Sequence, residues 1–204
     1  MGSGMIGLWG RLPLCRGLAA GVVTGVLLFT GLVPGARADN TTGGFVIRTA
    51  YTELLNGVYY LSADVDLNMS GKVLNALENG VPLTVEWQIQ VIHPRFLLWN
   101  QTVATLTERY QISYHPLIQR FVIKNLNSGE QQSFASYRDA ILNLGQVNDL
   151  PVIDASLLQP HTRYMIRMRA VLDITEFPGP LKLIASLFKG WDLSSDWYAW
   201  VLAS

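Results

Sequence analysis

Histidines, paired aspartates, adjacent serines and three arginines at strand spacing are the residues of this 204-residue chain that bear on chemistry. All three histidines adjoin prolines, as His93-Pro94, His115-Pro116 and Pro160-His161, which reads as turn chemistry. If the strands ending near His93 and His115 pair antiparallel, these two imidazoles stand at opposite ends of the pair and cannot share a metal. No metal site and no cofactor is therefore expected. Asp64 and Asp66 project from one face of a strand and could hold a cation or trade a proton. Facing Thr49 and Ile47 across a hairpin, they read better as solvated charges that discourage strand addition. Ser194 and Ser195 lack a Gly-x-Ser-x-Gly elbow or any other activating context, so no catalytic residue is assigned and an enzyme is not expected. Arg163, Arg167 and Arg169 share the outward parity of their strand and form a stripe of ~20 Å. That stripe is the candidate anion-binding site, for phosphate, a lipid headgroup or an acidic partner; cross-strand pairing with carboxylates is the competing reading.

The elements that must position these residues follow from hydrophobic period. Asn56-Gly57 between two alternating runs predicts a two-residue hairpin turn pairing Leu55 with Val58. That register carries Arg48 onto the apolar face, so a bulge or fraying is expected there, because a buried unpaired guanidinium is too costly. Ser70 caps a predicted short helix with Val73, Leu74 and Leu77 on one side and Gly80 as its stop. The run from Leu83 alternates cleanly, with Leu83, Val85, Trp87, Ile89 and Val91 inward. Two more strands meet at His115-Pro116, a turn follows at Asn127-Ser128-Gly129, and a second helix is predicted over 136–145. The run from Thr162 turns Tyr164, Ile166, Met168, Ala170, Leu172 and Ile174 inward, and the run from Trp197 to Leu202 closes the chain. About seven strands with two or three short inserted helices predict an antiparallel, immunoglobulin-like β-sandwich, in the architectural sense only.

Near the C-terminus, Phe177-Pro178-Gly179-Pro180 cannot continue a sheet, so a helix is predicted from Pro180 or Leu181 to Lys189. Leu181, Leu183, Ile184, Leu187 and Phe188 make it more apolar than a helix buried on one side requires. Two readings stand: a clasp between sheet and tail with help from Trp191, Trp197 and Trp200, or a partner surface formed by Leu183, Leu187 and Trp191.

At the other end, Arg11 and Arg16 precede an uncharged stretch from Gly17 to Ala36, and Ala36-Arg37-Ala38 matches a signal-peptidase site. Residues 1–38 are read as a signal peptide cut between Ala38 and Asp39, leaving 39–204 as one domain. An uncleaved membrane anchor is the alternative, and this segment and the 180–189 helix are the two candidate places of membrane contact. The lone cysteine, Cys15, goes with the leader, so the exported domain rests on its core alone, which 50% hydrophobic and 10% aromatic composition supports. Three arginines also leave, the remainder is slightly acidic, and nucleic acid is not an expected partner. Asn-x-Ser/Thr triplets begin at Asn40, Asn68 and Asn100 and would accept glycans only in a eukaryotic secretory pathway.

The leader, the run "FVIRTAYTELLNGVYYLSADVDLNMSGKVLNALENGVPLTVEWQIQV" and the ending "WDLSSDWYAW" together resemble domain of unknown function 4390, a family of exported proteobacterial proteins. The resemblance spans the whole mature chain and carries over no active residues. It implies a periplasmic location, or an inner-membrane anchorage facing the periplasm. Because genes of that family often neighbour an NtrY-like sensor kinase, it also makes a sensor-kinase ectodomain a candidate partner. The expected function is a cell-envelope interaction or accessory module; a binding module for an anionic lipid or small ligand is the alternative.

Overall fold

The computed structural model describes residues 43–95, 99–175, 179 and 190–202. The chain divides into two units, Met1–Arg37 and Ala38–Ser204, and every described residue belongs to the second. Both residues of the expected cleavage point, Ala38 and Asp39, lie outside the described residues. So do Leu183, Leu187, Phe188 and the rest of the expected 180–189 helix.

The first hairpin joins β1 (Gly44–Leu55) to β2 (Val58–Asn68). Its turn residues take left-handed backbone angles, φ 51° at Asn56 and 82° at Gly57, which these two residue types tolerate best. Leu55 pairs with Val58 as expected, and the register slips between Ile47 and Thr49. The extra residue is Arg48, which the bulge turns out to solvent, where its guanidinium meets Asp66 at 2.7 Å. The slip restores the apolar face, so Phe45 and Ile47 are buried and Asp66 stands opposite Val46 rather than Ile47.

Helix α1 (Gly71–Glu78) is capped by Ser70, whose hydroxyl accepts from the Val73 amide, and it buries Val73 and Leu77. Gly80, at φ 85°, donates back to the Leu77 carbonyl at 2.9 Å, the left-handed stop a helix end favours. The chain then crosses to the second sheet as β3 (Leu83–His93), β4 (Gln101–His115), β5 (Arg120–Asn125) and β6 (Gln131–Phe134). Helix α2 (Tyr137–Gly145), capped by Ser136, returns it to the first sheet as β7 (Gln146–Asp154). Finally β8 (Met165–Asp173) adds to the free side of β3 and β9 (Tyr198–Val201) to the free side of β8.

The result is an antiparallel β-sandwich with sheet orders β1-β2-β7 and β6-β5-β4-β3-β8-β9. Nine strands are present among the described residues, not about seven: β6 and β7 carry no clean alternation. The inward residues of β3, Leu83 to Val91 at alternate positions, are all fully buried, as are Leu61 of β2 and Ile166, Met168 and Ala170 of β8. Burial of each large aliphatic contributes about 1.5–3 kcal/mol relative to exposure, and this shared core holds a domain that has no cysteine after Cys15.

Beyond β8 the chain does not run free. The Leu172 amide donates to the Leu193 carbonyl and the Ser195 amide to the Ala170 carbonyl, both at 2.8 Å. Trp191 and Leu193 point into the core.

Candidate functional site

The outer face of β3 is polar by period: Thr84, Glu86, Gln88 and Gln90 alternate with the buried apolar set. Antiparallel pairing sets Arg109 of β4 opposite Glu86 and sets Arg169 and Arg167 of β8 opposite Gln88 and Gln90. Side-chain contacts follow this register. Arg167 donates through Nε and Nη2 to Gln90 Oε1 at 2.9 and 2.6 Å, and Arg169 donates through Nε to Gln88 Oε1 at 2.8 Å. Gln88 passes its own amide hydrogen to Glu86 Oε2 at 2.9 Å.

Both guanidiniums also lie over a single indole. The Arg167 and Arg169 carbons sit 4.5 and 4.7 Å from the centroid of Trp197, within the range of cation–π attraction. Trp197 is positioned by the segment that hydrogen-bonds to β8 just before β9 begins. Its clamp is the buried Ser195 hydroxyl, which accepts from the Ala170 amide and donates to the Asp196 carbonyl. Ser195 is thus a structural hydroxyl.

Charge is unevenly matched on this face. Glu86 is engaged by Arg109 at 3.0 Å, and Asp173 lies 3.9 Å from the same guanidinium. Among the described residues, neither Arg167 nor Arg169 has a carboxylate within ion-pair distance. Their partners are neutral amides and an aromatic face, which fix the geometry and leave the positive charge uncompensated. Each guanidinium is half-buried and retains N–H donors beyond those used. Such paired, planar donors suit a carboxylate or phosphate.

The expected three-arginine stripe reduces to two. Arg163 precedes β8 and takes no part in the Trp197 contact; its carbonyl meets His93 Nδ1 at 3.1 Å. Period alone puts Arg163 in phase with the other two, but the strand begins only at Met165. Trp191, placed in the clasp by one reading of the tail and on a partner surface by the other, is 5% exposed within the core, where the return of the chain along β8 carries its ring inward. The three C-terminal tryptophans thus serve three purposes: Trp191 fills the core, Trp197 carries the arginines, and Trp200 donates its indole N–H to Thr52 Oγ1 at 3.2 Å. Sequence reasoning missed Trp197 as a site residue, although its outward parity next to Arg169 is visible once β9 is paired with β8.

The remaining candidates lie away from this face. Asp66 pairs with Arg48, and Asp64 lies opposite Thr49 on the exposed side of β2. Among the described residues no group of three His, Cys, Asp or Glu side chains could hold a metal ion.

A two-sheet antiparallel β domain with an α-helix at two of its three crossovers and an arginine–tryptophan cluster on its larger sheet is the class these features define. The family model of domain of unknown function DUF4390 matches residues 42–201, and the chain belongs to that family. No curated protein and no solved structure matches the chain.

Proposed function

We propose that this chain is a cell-envelope interaction module, exported by its leader, that holds a partner rather than transforming a substrate. Its contact face is the Arg167–Trp197–Arg169 cluster and its partner presents an acidic segment. One observation carries this reading: two guanidiniums fixed on one indole, with no carboxylate in reach among the described residues, in a domain that is otherwise slightly acidic. A buried-type ion pair would have neutralised them; amide partners do not. Export and a periplasmic location rest on the leader pattern. Among the described residues no helix is long and apolar enough to cross a membrane.

The test is capture from envelope extract by the intact domain and by Arg167→Gln/Arg169→Gln at low and high salt. The proposal expects a protein, a sensor-kinase ectodomain among the candidates, that is retained at low salt by the wild type and lost by the double variant. Equal retention by both proteins would overturn it. The second reading, an anionic membrane surface, is favoured by the same uncompensated charge. Flotation with vesicles containing phosphatidylglycerol, against phosphatidylcholine alone, separates the two, because surface attraction to lipid must weaken as salt screens it.

A further inference from the structure

A second site lies on the opposite side of the core and owes nothing to the arginine face. Where α2 hands the chain to β7, the sandwich gapes, leaving a cavity of about 220 Å³ between β7, the end of α2 and strands β4 to β6. Buried Trp87, Ile123 and Leu144 close it from below, and the half-buried Tyr110 and Leu150 give it an apolar floor. Its rim is built from side-chain amides: Asn125 of β5, Gln132 of β6, Asn143 of α2, and Gln146 and Asn148 of β7. Asn125 is committed, its carbonyl accepting from the amides of Asn127 and Ser128 at 2.7 and 3.0 Å. Gln132, Asn143, Gln146 and Asn148 are exposed, and their amides make no side-chain hydrogen bond to another described residue. Three elements thus converge four unspent donor–acceptor pairs on one hollow.

The lining narrows the ligand class. No lysine, arginine or histidine faces the cavity, and Glu130 stands at its edge, so an anion finds no counter-charge and a carboxylate to repel it. One lining carboxylate with no second acidic ligand is equally poor for a cation. An extended peptide adding to the free edge of β7 is also disfavoured. Pro151 lies within that strand, the β2–β7 register slips twice, and Asp149 takes φ 48°, all features that blunt an edge. What a ring of carboxamides over an apolar floor does recognise is a neutral molecule that both donates and accepts around its rim while presenting an apolar face. Tyr110 adds a hydroxyl to the lining. Burial first, then the neighbouring Glu108, pushes that phenol above its ordinary range, so it remains a donor.

We propose that this cleft is a binding site for a neutral saccharide, its hydroxyl or acetamido groups met by Gln132, Asn143, Gln146 and Asn148 and its ring seated against the half-buried Tyr110 and Leu150.

The test is a titration of the isotopically labelled protein with glucose and with N-acetylglucosamine, following side-chain amide signals by NMR, with inorganic phosphate as a third probe. At least one sugar is expected to shift the signals of Gln132, Asn143, Gln146 and Asn148 saturably, with half-saturation on the order of millimolar. Asn148→Ala/Gln132→Ala, two exposed changes that leave the core intact, should weaken the binding tenfold or more. Arg167→Gln/Arg169→Gln should leave it unchanged, so this site stands or falls apart from the arginine face. No saturable shift with either sugar, sugar binding undiminished in Asn148→Ala/Gln132→Ala, or phosphate shifting the same four amides would each overturn the proposal.

Discussion

Arg167 and Trp197, thirty residues apart in the chain, meet with the guanidinium carbon 4.5 Å from the indole centroid, and Arg169 shares the same ring from 4.7 Å. The indole therefore positions two cations that strand geometry alone would leave to wander. Trp197→Leu should cost little stability, about 0.5–1 kcal/mol for each exposed cation–π pair, yet weaken binding of an acidic probe markedly. Urea denaturation beside a binding titration separates the two effects; a large stability loss with unchanged binding would make Trp197 a packing residue only.

Trp191 gives the opposite expectation. It is buried beside Leu193, so Trp191→Ala should destabilise the domain by about 3–5 kcal/mol, as large aromatic truncations in cores do. A thermal melt within a degree or so of the wild type would show that its ring is not part of the core.

Gly145, the last residue of α2, leaves no room for a side chain. A Cβ at this position would collide with the backbone carbonyl oxygen of Val65 in β2. Gly145→Ala should force α2 away from β2 at about 1–3 kcal/mol, visible as a lowered urea midpoint. Gly44→Ala, with nothing near its Cβ position, is the control expected to behave as wild type.

Glu108 sits on the inward side of β4 opposite Trp87. Burial raises its carboxyl above the ordinary value, partly offset by a hydrogen bond from Asn125. A folded-state pKa above the unfolded one means the native state holds the proton more tightly. Stability on this account falls as pH rises through that interval, from about 4.3 upward. Glu108→Gln should therefore be more stable than wild type at neutral pH, with the difference vanishing below about pH 4. Paired urea titrations at the two pH values check the sign.

Legibility in the sequence follows how regular each element is. The first hairpin, the bulge at Arg48, α1 with its Ser70 cap, and β3 are all readable because one physical rule governs each: turn chemistry, the cost of a buried guanidinium, capping, and period two. Strand β7 is not, since Asn148-Asp149 and Pro151 look like a loop and two register slips scatter Val147, Leu150 and Ile153 off any period. Strand β6 is four residues of an edge with three polar side chains, and only its pairing with β5 defines it. The same irregularity hides the cleft, whose rim comes from β5, β6, α2 and β7. The arginine face was half legible: parity marks Arg167 and Arg169, while the tryptophan that unites them depends on how the tail folds back along β8.

The measurement closest to the central claim is a calorimetric titration of the purified domain with an oligo-glutamate peptide at low and high salt, alongside Arg167→Gln/Arg169→Gln. The account predicts binding at low salt that weakens as the Debye length shrinks below about 10 Å and disappears in the double variant, whose fold is otherwise intact. Binding of equal strength by wild type and double variant, or no binding by the wild type at low salt, would contradict it.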